Sequence, residues 1–362
     1  MKFLRITNAD GKVWLIPTKH TRLGLSLYQP SSRNGILLKK YLPYLSWLKK
    51  LKRKIGIEDV EYSINTDILN VIEKVFQEQN LEYSIFEGTP CVHKKTTIQI
   101  FKNKKILGYC KVSQNPKLYE IFRHEQELLE WLNKKGVLQI PTCLFCGEIG
   151  NDFVFLQTTV KTIKSHVRHE LGYKQLDFLE MLTEKTYQKM FYHDTNQYQT
   201  VCILQEKLDL LNSDQQRIIK EAIEFIEKYY ADIPHLFSAC HADFTPWNMF
   251  EEAGKIFVFD FEYGSYSYMP YLDIFHFMTQ TSVFEQHLSP SEIFEKFLGE
   301  ETFLRKYFEN PPMAYLIYLV DIIARFVVRE GKHRTKDVDK LISVWFDLVK
   351  LILRQSNTRL NT

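Results

Sequence analysis

The stretch ACHADFTPWNMFEEAGKIFVFDFE, residues 239–262, carries a histidine, two aspartates and an asparagine at the ends of apolar runs. His241 precedes Asp243 by two positions, Asn248 follows Asp243 by five, and Asp260 sits in the middle of FVFDFE. The turn-forming EEAGK between the apolar runs predicts a hairpin that returns Asp260 to the neighbourhood of Asn248. A carboxylate can accept or orient the proton of an attacking hydroxyl. An amide oxygen can ligate a hard cation without adding a second negative charge beside that carboxylate. Pro246 and Trp247 stiffen the loop between the two.

This order and spacing match a phosphoryl-transfer catalytic loop, with Asp243 as the base and Asn248 and Asp260 as Mg²⁺ ligands. His241 then acts as a hydrogen-bonding strut of the loop rather than as a reacting group. Two other readings use the same residues. Asp243 can be a plain turn or helix-cap residue. Alternatively, His241, Asp243 and Asp260 can form a hydrolytic metal site, which asks for more well-spaced histidines than His235 and His276 supply.

A second set lies upstream. Asn115 and Pro116 predict a helix start, and Gly136 its end. Between them Leu118, Ile121, Phe122, Leu128, Leu129 and Leu132 fall on one face, with Glu125 at its centre. Glu120, Glu127 and Glu130 fall on the opposite side. A carboxylate in an apolar stripe is costly unless paired, and Lys111 on the preceding strand GYCKVS is the natural partner. A strand lysine held by a helix glutamate presents an ammonium to nucleotide phosphates; the alternative is a snorkelling Lys111 beside a partly exposed Glu125.

The chain has 362 residues and a net charge of +3, with 45% hydrophobic and 14% aromatic residues. It can bury a sizeable core, and the charge is too mild to point to nucleic acid. The start MKFLRITNADGK lacks the apolar segment of a secretory signal, and AYLIYLVDIIARF is interrupted by Asp321 and Arg325. The expectation is a soluble cytoplasmic protein. Cys143 and Cys146 form a C-x-x-C, but alternation through PTCLFCGEI favours a strand over a zinc site.

Residues 1–80 are expected as an N-terminal extension, with VWLIP as a strand and GILLKKYLPYLSWLKKLKRKIG as a helix interrupted at Pro43. Basic residues within 47–56 either contact an anionic membrane surface or form a solvated helix face. Residues 81–158 are expected as a β-rich nucleotide-binding lobe, with a hairpin turn around Asn103, Lys104 and Lys105. Residues 159–362 are expected to be mainly helical. Ser213 and Gln216 form a candidate capping box before a stripe of Ile219, Ile223, Ile226 and Tyr230. Strands first and helices after, with a bridge near 157–161, give a two-lobed α+β layout.

With Lys111, Glu125, His241, Asp243, Asn248 and Asp260 in this order, the chain resembles the aminoglycoside phosphotransferase and choline kinase-like family, over about residues 81–330. HADFTPWN, FVFDFEYGS and PYLDIFHF look like its catalytic and metal-binding segments. The resemblance implies a protein-kinase-like fold, ATP as donor and Mg²⁺ as cofactor. It implies Asp243 as catalytic base, Lys111 on the α- and β-phosphates with Glu125 holding it, and Thr158 near the adenine. Asp273 matches a family aspartate that anchors the helix after the metal strand.

Three departures stand out, the first bearing on phosphate closure and the other two on substrate class. EGTPCVHKKT offers only Gly88 where protein kinases have a glycine-rich loop. Ala242 stands where protein kinases carry an arginine that reads activation-loop phosphorylation. Only nine residues separate Asp260 from Pro270, too few for a peptide-docking segment. The expected acceptor is therefore a small-molecule hydroxyl on a sugar, an amino alcohol or an aminoglycoside-like compound. Glu262 either assists a second Mg²⁺ or is an ordinary strand residue. Tyr263, Tyr266, Tyr268 and Tyr271 either stack on a sugar or pack the lobe. The competing functions are an inactive kinase-fold binding or scaffold module and a peripheral protein working at a membrane surface through residues 47–56.

Overall fold

The computed structural model describes residues 1–8, 10–30, 33–45, 57–89, 94–231 and 233–360, and for 45, 333 and 356–360 the backbone alone. The basic segment 47–56, expected as a membrane-facing helix, lies outside the described residues. The chain divides into two compact units, Met1–Arg168 with Trp247–Glu262, and His169–Pro246 with Tyr263–Thr362.

The first unit is built on strands β1 (Lys2–Thr7), β2 (Val13–Pro17), β3 (Ile57–Glu61), β4 (Glu82–Phe86), β5 (Thr96–Lys102), β6 (Lys105–Ser113), β7 (Cys143–Ile149) and β8 (Asp152–Thr158). They form one antiparallel sheet in the order β3-β1-β2-β4-β5-β6-β8-β7. Asn103 and Lys104 take left-handed φ values of 49° and 68° and turn β5 into β6, as the sequence predicts. The C-x-x-C cysteines lie on β7, in accord with the strand reading.

Residues 1–80 are not a separate extension. They add β1, β2 and β3 to this sheet through the β2–β4 pairs Trp14↔Phe86 and Leu15↔Ile85. Trp14 stacks on Phe86 with ring centroids 4.9 Å apart, and Tyr28 meets Trp14 edge-on at the same distance. Both faces are covered there. Ile68 and Ile72, on the helix Thr66–Phe76, join a core with Leu15, Ile85, Ile98 and Cys110. Leu42, on the helix Arg33–Leu45, joins another with Leu4, Ile6, Trp14 and Ile16. Pro43 lies inside the described part of that helix rather than interrupting it. The first unit runs to Arg168 rather than stopping at the expected bridge, and it also takes in the hairpin Met249–Glu252/Lys255–Val258.

The helix Pro116–Lys134 begins as predicted: Asn115 accepts a hydrogen bond from the Lys117 amide at 3.1 Å, and Pro116 occupies the first turn. Such a cap contributes about 1 kcal/mol. Leu118, Phe122, Leu128, Leu129 and Leu132 are buried with Glu125, whereas Glu120, Glu127 and Glu130 are exposed. Gly108 on β6 is a position where a side chain cannot fit. A Cβ there would stand 2.2 Å from the Gln157 carbonyl oxygen and 2.7 Å from the Phe76 ring. Its absence lets β8 run close enough to set the register Lys111↔Phe155.

The second unit is mainly helical around a three-stranded antiparallel sheet with His235–Cys240 between Gln188–Met190 and Ser265–Tyr268. Ile219, Ile223, Ile226 and Tyr230 form the buried stripe of the helix Ser213–Tyr230. The capping box falls one residue earlier than expected: Asn212 accepts from the Gln215 amide at 3.0 Å, and the Gln215 side chain accepts from the Asn212 amide at 3.2 Å. Asparagine at 212 is as strong a cap as serine, so the pattern alone could not fix the register. The helix Pro311–Glu330 is long and apolar enough to cross a membrane, yet 83% of its apolar window is buried. It packs on the helices Asn196–Glu206, Ser213–Tyr230 and Lys336–Leu360, as the core helix of this unit.

Candidate active site

In the first unit, the sheet and the hairpin bring five charged side chains together. Strand alternation sends Cys110 into the core on one face and Lys111 to the other. Lys111 Nζ donates to Glu125 Oε2 at 2.6 Å and to Asp260 Oδ1 at 2.6 Å, and it lies 5.2 Å from the centre of the Phe155 ring. The Glu125 side chain is fully buried and that of Lys111 is 6% exposed, so the pair is the buried one predicted and the snorkelling alternative falls away.

Asp260 reaches this point through the predicted hairpin. Ala253 and Gly254, with φ of 49° and 80°, form its turn. Met249 pairs with Val258, and the Phe259 amide then donates to the Asn248 carbonyl at 3.0 Å, which sets Asp260 beside the Asn248 backbone. Asp260 itself has φ of 69°, a strained value for a residue with a side chain.

Lys95 and Glu262 complete the cluster. Lys95 Nζ donates to Glu262 Oε2 and, at 3.3 Å, to Asp260 Oδ1. Sequence reasoning did not single out Lys95. It adjoins an equally basic Lys94, and its partners lie 165 and 167 residues away. The one available signal was its place at the edge of β5, next to the loop that would cover phosphates.

The electrostatics follow from this crowding. Burial pushes the Glu125 carboxyl up to about 7; Lys111 pulls it down, while Asp260 and Glu262 push it further up. Burial would also raise Asp260, but Lys111 and Lys95 outweigh it and hold that carboxyl well below the usual range. Burial acts to lower Lys111 and Lys95, and in both cases the carboxylates, Asp260 first, reverse the shift and keep the ammonium charged. Ligand oxygens of Glu125, Asp260 and Glu262 lie within 4.8 Å of one another. Glu125 Oε1 is buried without a hydrogen-bond partner among the described residues. An all-oxygen acidic set with such an orphaned atom fits a hard divalent cation such as Mg²⁺.

The second unit holds the loop after the strand His235–Cys240. The amides of His241 and Ala242 donate to the Asp273 carboxylate at 2.7 and 2.8 Å. Ala242 takes a left-handed φ of 65°, and the Asp243 amide then donates to His241 Nδ1 at 3.2 Å. His241 is fully buried with its ring edge-on to Phe244, in keeping with a strut. Asp243 keeps about a third of its side chain exposed, and its Oδ1 accepts from His276 Nε2 at 3.1 Å. His276 is buried, and its Nδ1 faces the Tyr318 hydroxyl at 3.5 Å. The sequence offered His276 only as a scattered histidine; its spacing of three from Asp273 on one helix was the missed signal.

Thr158, expected near an adenine, ends β8. Its hydroxyl accepts from the Thr142 amide at 2.9 Å, and its own amide donates to the Thr142 carbonyl at 3.0 Å. The geometry thus gathers Lys111, Glu125 and Asp260 with the Asn248 backbone in one unit, and His241 and Asp243 in the other.

Residues 92–344 match the family model for choline/ethanolamine kinase. Among solved structures, the apo form of a thermostable mutant of aminoglycoside phosphotransferase APH(4)-Ia aligns with a TM-score of 0.52 at 11% identity, over 79% of this chain and 98% of that one. A ternary complex of that protein with ADP and hygromycin B aligns with the same TM-score and identity, over 79% and 97%. At this identity the likeness is one of fold, the two-lobed protein-kinase-like α+β fold expected from the sequence. No curated protein matches the chain in sequence.

Proposed function

The chain belongs to the choline/ethanolamine kinase family and is thus a kinase that phosphorylates hydroxyl groups of small molecules, from which we propose that it uses ATP and Mg²⁺. Its acceptor is a sugar, an amino alcohol or an aminoglycoside-like compound. The observation that carries this reading is the buried Lys111–Glu125 pair joined to Asp260. An ammonium fixed by a helix carboxylate, beside an acidic group on a hairpin return, is the arrangement phosphoryl transfer needs. The complex of a fold relative with ADP and hygromycin B supports a nucleotide and a small hydroxylated acceptor as ligands.

The roles follow. Lys111 grips the α- and β-phosphates, and Glu125 keeps its ammonium aimed. Thr158 ends the strand beside the adenine, and its hydroxyl, which accepts from the Thr142 amide, keeps its O–H to donate. Asn248 and Asp260 would hold Mg²⁺, with the Glu262 carboxylate beside Asp260 as a further oxygen donor; a cation held there would offset charge on the phosphoryl group. Asp243 orients the acceptor hydroxyl and takes its proton as that oxygen bonds to the γ-phosphorus and the bond from that phosphorus to the departing ADP oxygen breaks. His276 and Asp273 position Asp243, one by its carboxylate and the other through the loop backbone. Catalysis is then mostly positioning and charge neutralisation.

The test is an acceptor panel of amino alcohols, sugars and aminoglycosides, supplied with ATP and Mg²⁺ and read as acceptor-dependent ADP formation. The reading expects one class to stimulate turnover and Asp243→Ala to abolish the stimulation. ADP formation that Asp243→Ala leaves intact would remove Asp243 as the base.

A further inference from the structure

Lys95 has no place in the mechanism above, yet its ammonium meets two carboxylates, those of Asp260 and Glu262. It enters from the first residue before β5, on the return arm of the loop that follows β4. That arm is fixed by Gly88: with φ of 87°, it packs so tightly that a Cβ would stand 2.3 Å from the Lys95 carbonyl oxygen. The side chain is 19% exposed, and its ammonium donates to Glu262 and Asp260. Lys111 shares Asp260 but has Glu125 as a second partner. Among the described residues Lys95 bonds only to Asp260 and Glu262, whereas Lys111 can keep Glu125 Oε2 even where Glu125 Oε1, Asp260 and Glu262 face a cation.

This asymmetry has a consequence for binding. A cation arriving alone at Asp260 and Glu262 must compete with the Lys95 ammonium and would leave it charged, half-buried and without a partner, which is costly. A cation arriving with phosphate brings a new acceptor for that ammonium. Lysine is suited to the exchange, being a point charge with three donors on a flexible four-carbon stem. It also stands where a glycine-rich loop would otherwise supply backbone amides to the phosphates.

We propose that Lys95 is a second phosphate-binding cation, one that holds Asp260 and Glu262 before nucleotide arrives and passes to its phosphates as the metal takes the carboxylates. Lys95 thereby makes metal and nucleotide bind as a pair. The inference rests on the reading of Asp260 as a metal ligand.

The test uses the full chain as wild type, Lys95→Met and Lys95→Arg. Mn²⁺ binding is followed by electron paramagnetic resonance without nucleotide, and ADP binding by calorimetry in EDTA and in Mn²⁺. Removing the competing charge should tighten Mn²⁺ alone at least about tenfold, weaken ADP in Mn²⁺ at least about tenfold and leave ADP in EDTA near wild type. The factor by which each ligand strengthens the other should then fall about tenfold. Lys95→Arg should stay near wild type in all three titrations. Lys95→Gln, which keeps a polar head for Glu262, reads the same effects should the Met variant fail to fold. Wild-type-like Mn²⁺ and ADP affinities in Lys95→Met or Lys95→Gln would overturn the proposal and leave the metal site intact. Absence of Mn²⁺-dependent ADP binding in the wild type would overturn the metal reading and the proposal together.

Discussion

Around Lys111, three carboxylates and two ammonium groups crowd into a partly buried cluster, and each is displaced or pinned by the others. Around Asp243, one third-exposed carboxylate meets a histidine, and its loop is held by amides that donate to Asp273. The first cluster is organised by charge and therefore by whatever ions enter it. The second is organised by hydrogen bonds that are complete before any ligand binds. A group that must exchange partners can tolerate being paired in the free protein, whereas a base must be held in place and still remain accessible to its substrate.

Substitutions break this contrast in graded ways. The largest effect is expected for Asp243→Ala, which should lower kcat by roughly 10²- to 10⁴-fold, the range for a lost acid–base group. Its nucleotide affinity should not change, because the charged cluster is untouched. A variant of near-normal turnover would show that the hydrogen-bonded loop has been assigned the wrong task.

Lys111→Met comes next. Leaving Glu125 buried without its cation should cost about 3 kcal/mol of stability, read from urea unfolding, along with most nucleotide affinity. A loss below about 1 kcal/mol would mean that the cluster is far better solvated than its burial implies.

His276→Ala tests the other side and should be milder. Losing one hydrogen bond to a charged group, worth about 1.5 kcal/mol, corresponds to about a tenfold fall in kcat with KM for ATP preserved. A rise in KM for ATP of the same size would place His276 in nucleotide binding instead.

The smallest effect concerns pH. Glu125 has its carboxyl raised from 4.5 to about 7, so the folded protein retains a proton the unfolded chain has released. Stability from this source is full below about pH 4.5 and is lost as pH rises through about 7. Asp260 is shifted the other way, so its contribution is lost only as pH falls below about 4, outside that window. Without nucleotide, the wild type should lose Tm relative to Glu125→Gln between about pH 5 and pH 8. Parallel curves would locate the shifted proton elsewhere in the cluster.

What the sequence disclosed follows the same division. That Asp260 returns beside Asn248 was legible because a hairpin carries their relation within 13 residues. Glu125 was legible because a lone acid in an apolar stripe demands a partner, and only local periodicity is needed to see it. Lys95 was not, since its partners are distant in the chain and nothing near it marks burial. The place of residues 1–80 in the sheet was hidden for a related reason: β2 pairs with β4 across some 70 residues, and strand patterns do not name their neighbours. The one-residue slip in the capping box is of another kind, a choice between two equally good caps.

The central claim is that Asp260 and its neighbours form a metal-dependent nucleotide site, and calorimetric titration of ATP with and without Mg²⁺ on wild type and Asp260→Asn tests it most directly. The account predicts binding that requires Mg²⁺ in the wild type and is lost in the variant. Equal ATP affinity in the two proteins, with or without Mg²⁺, would contradict it.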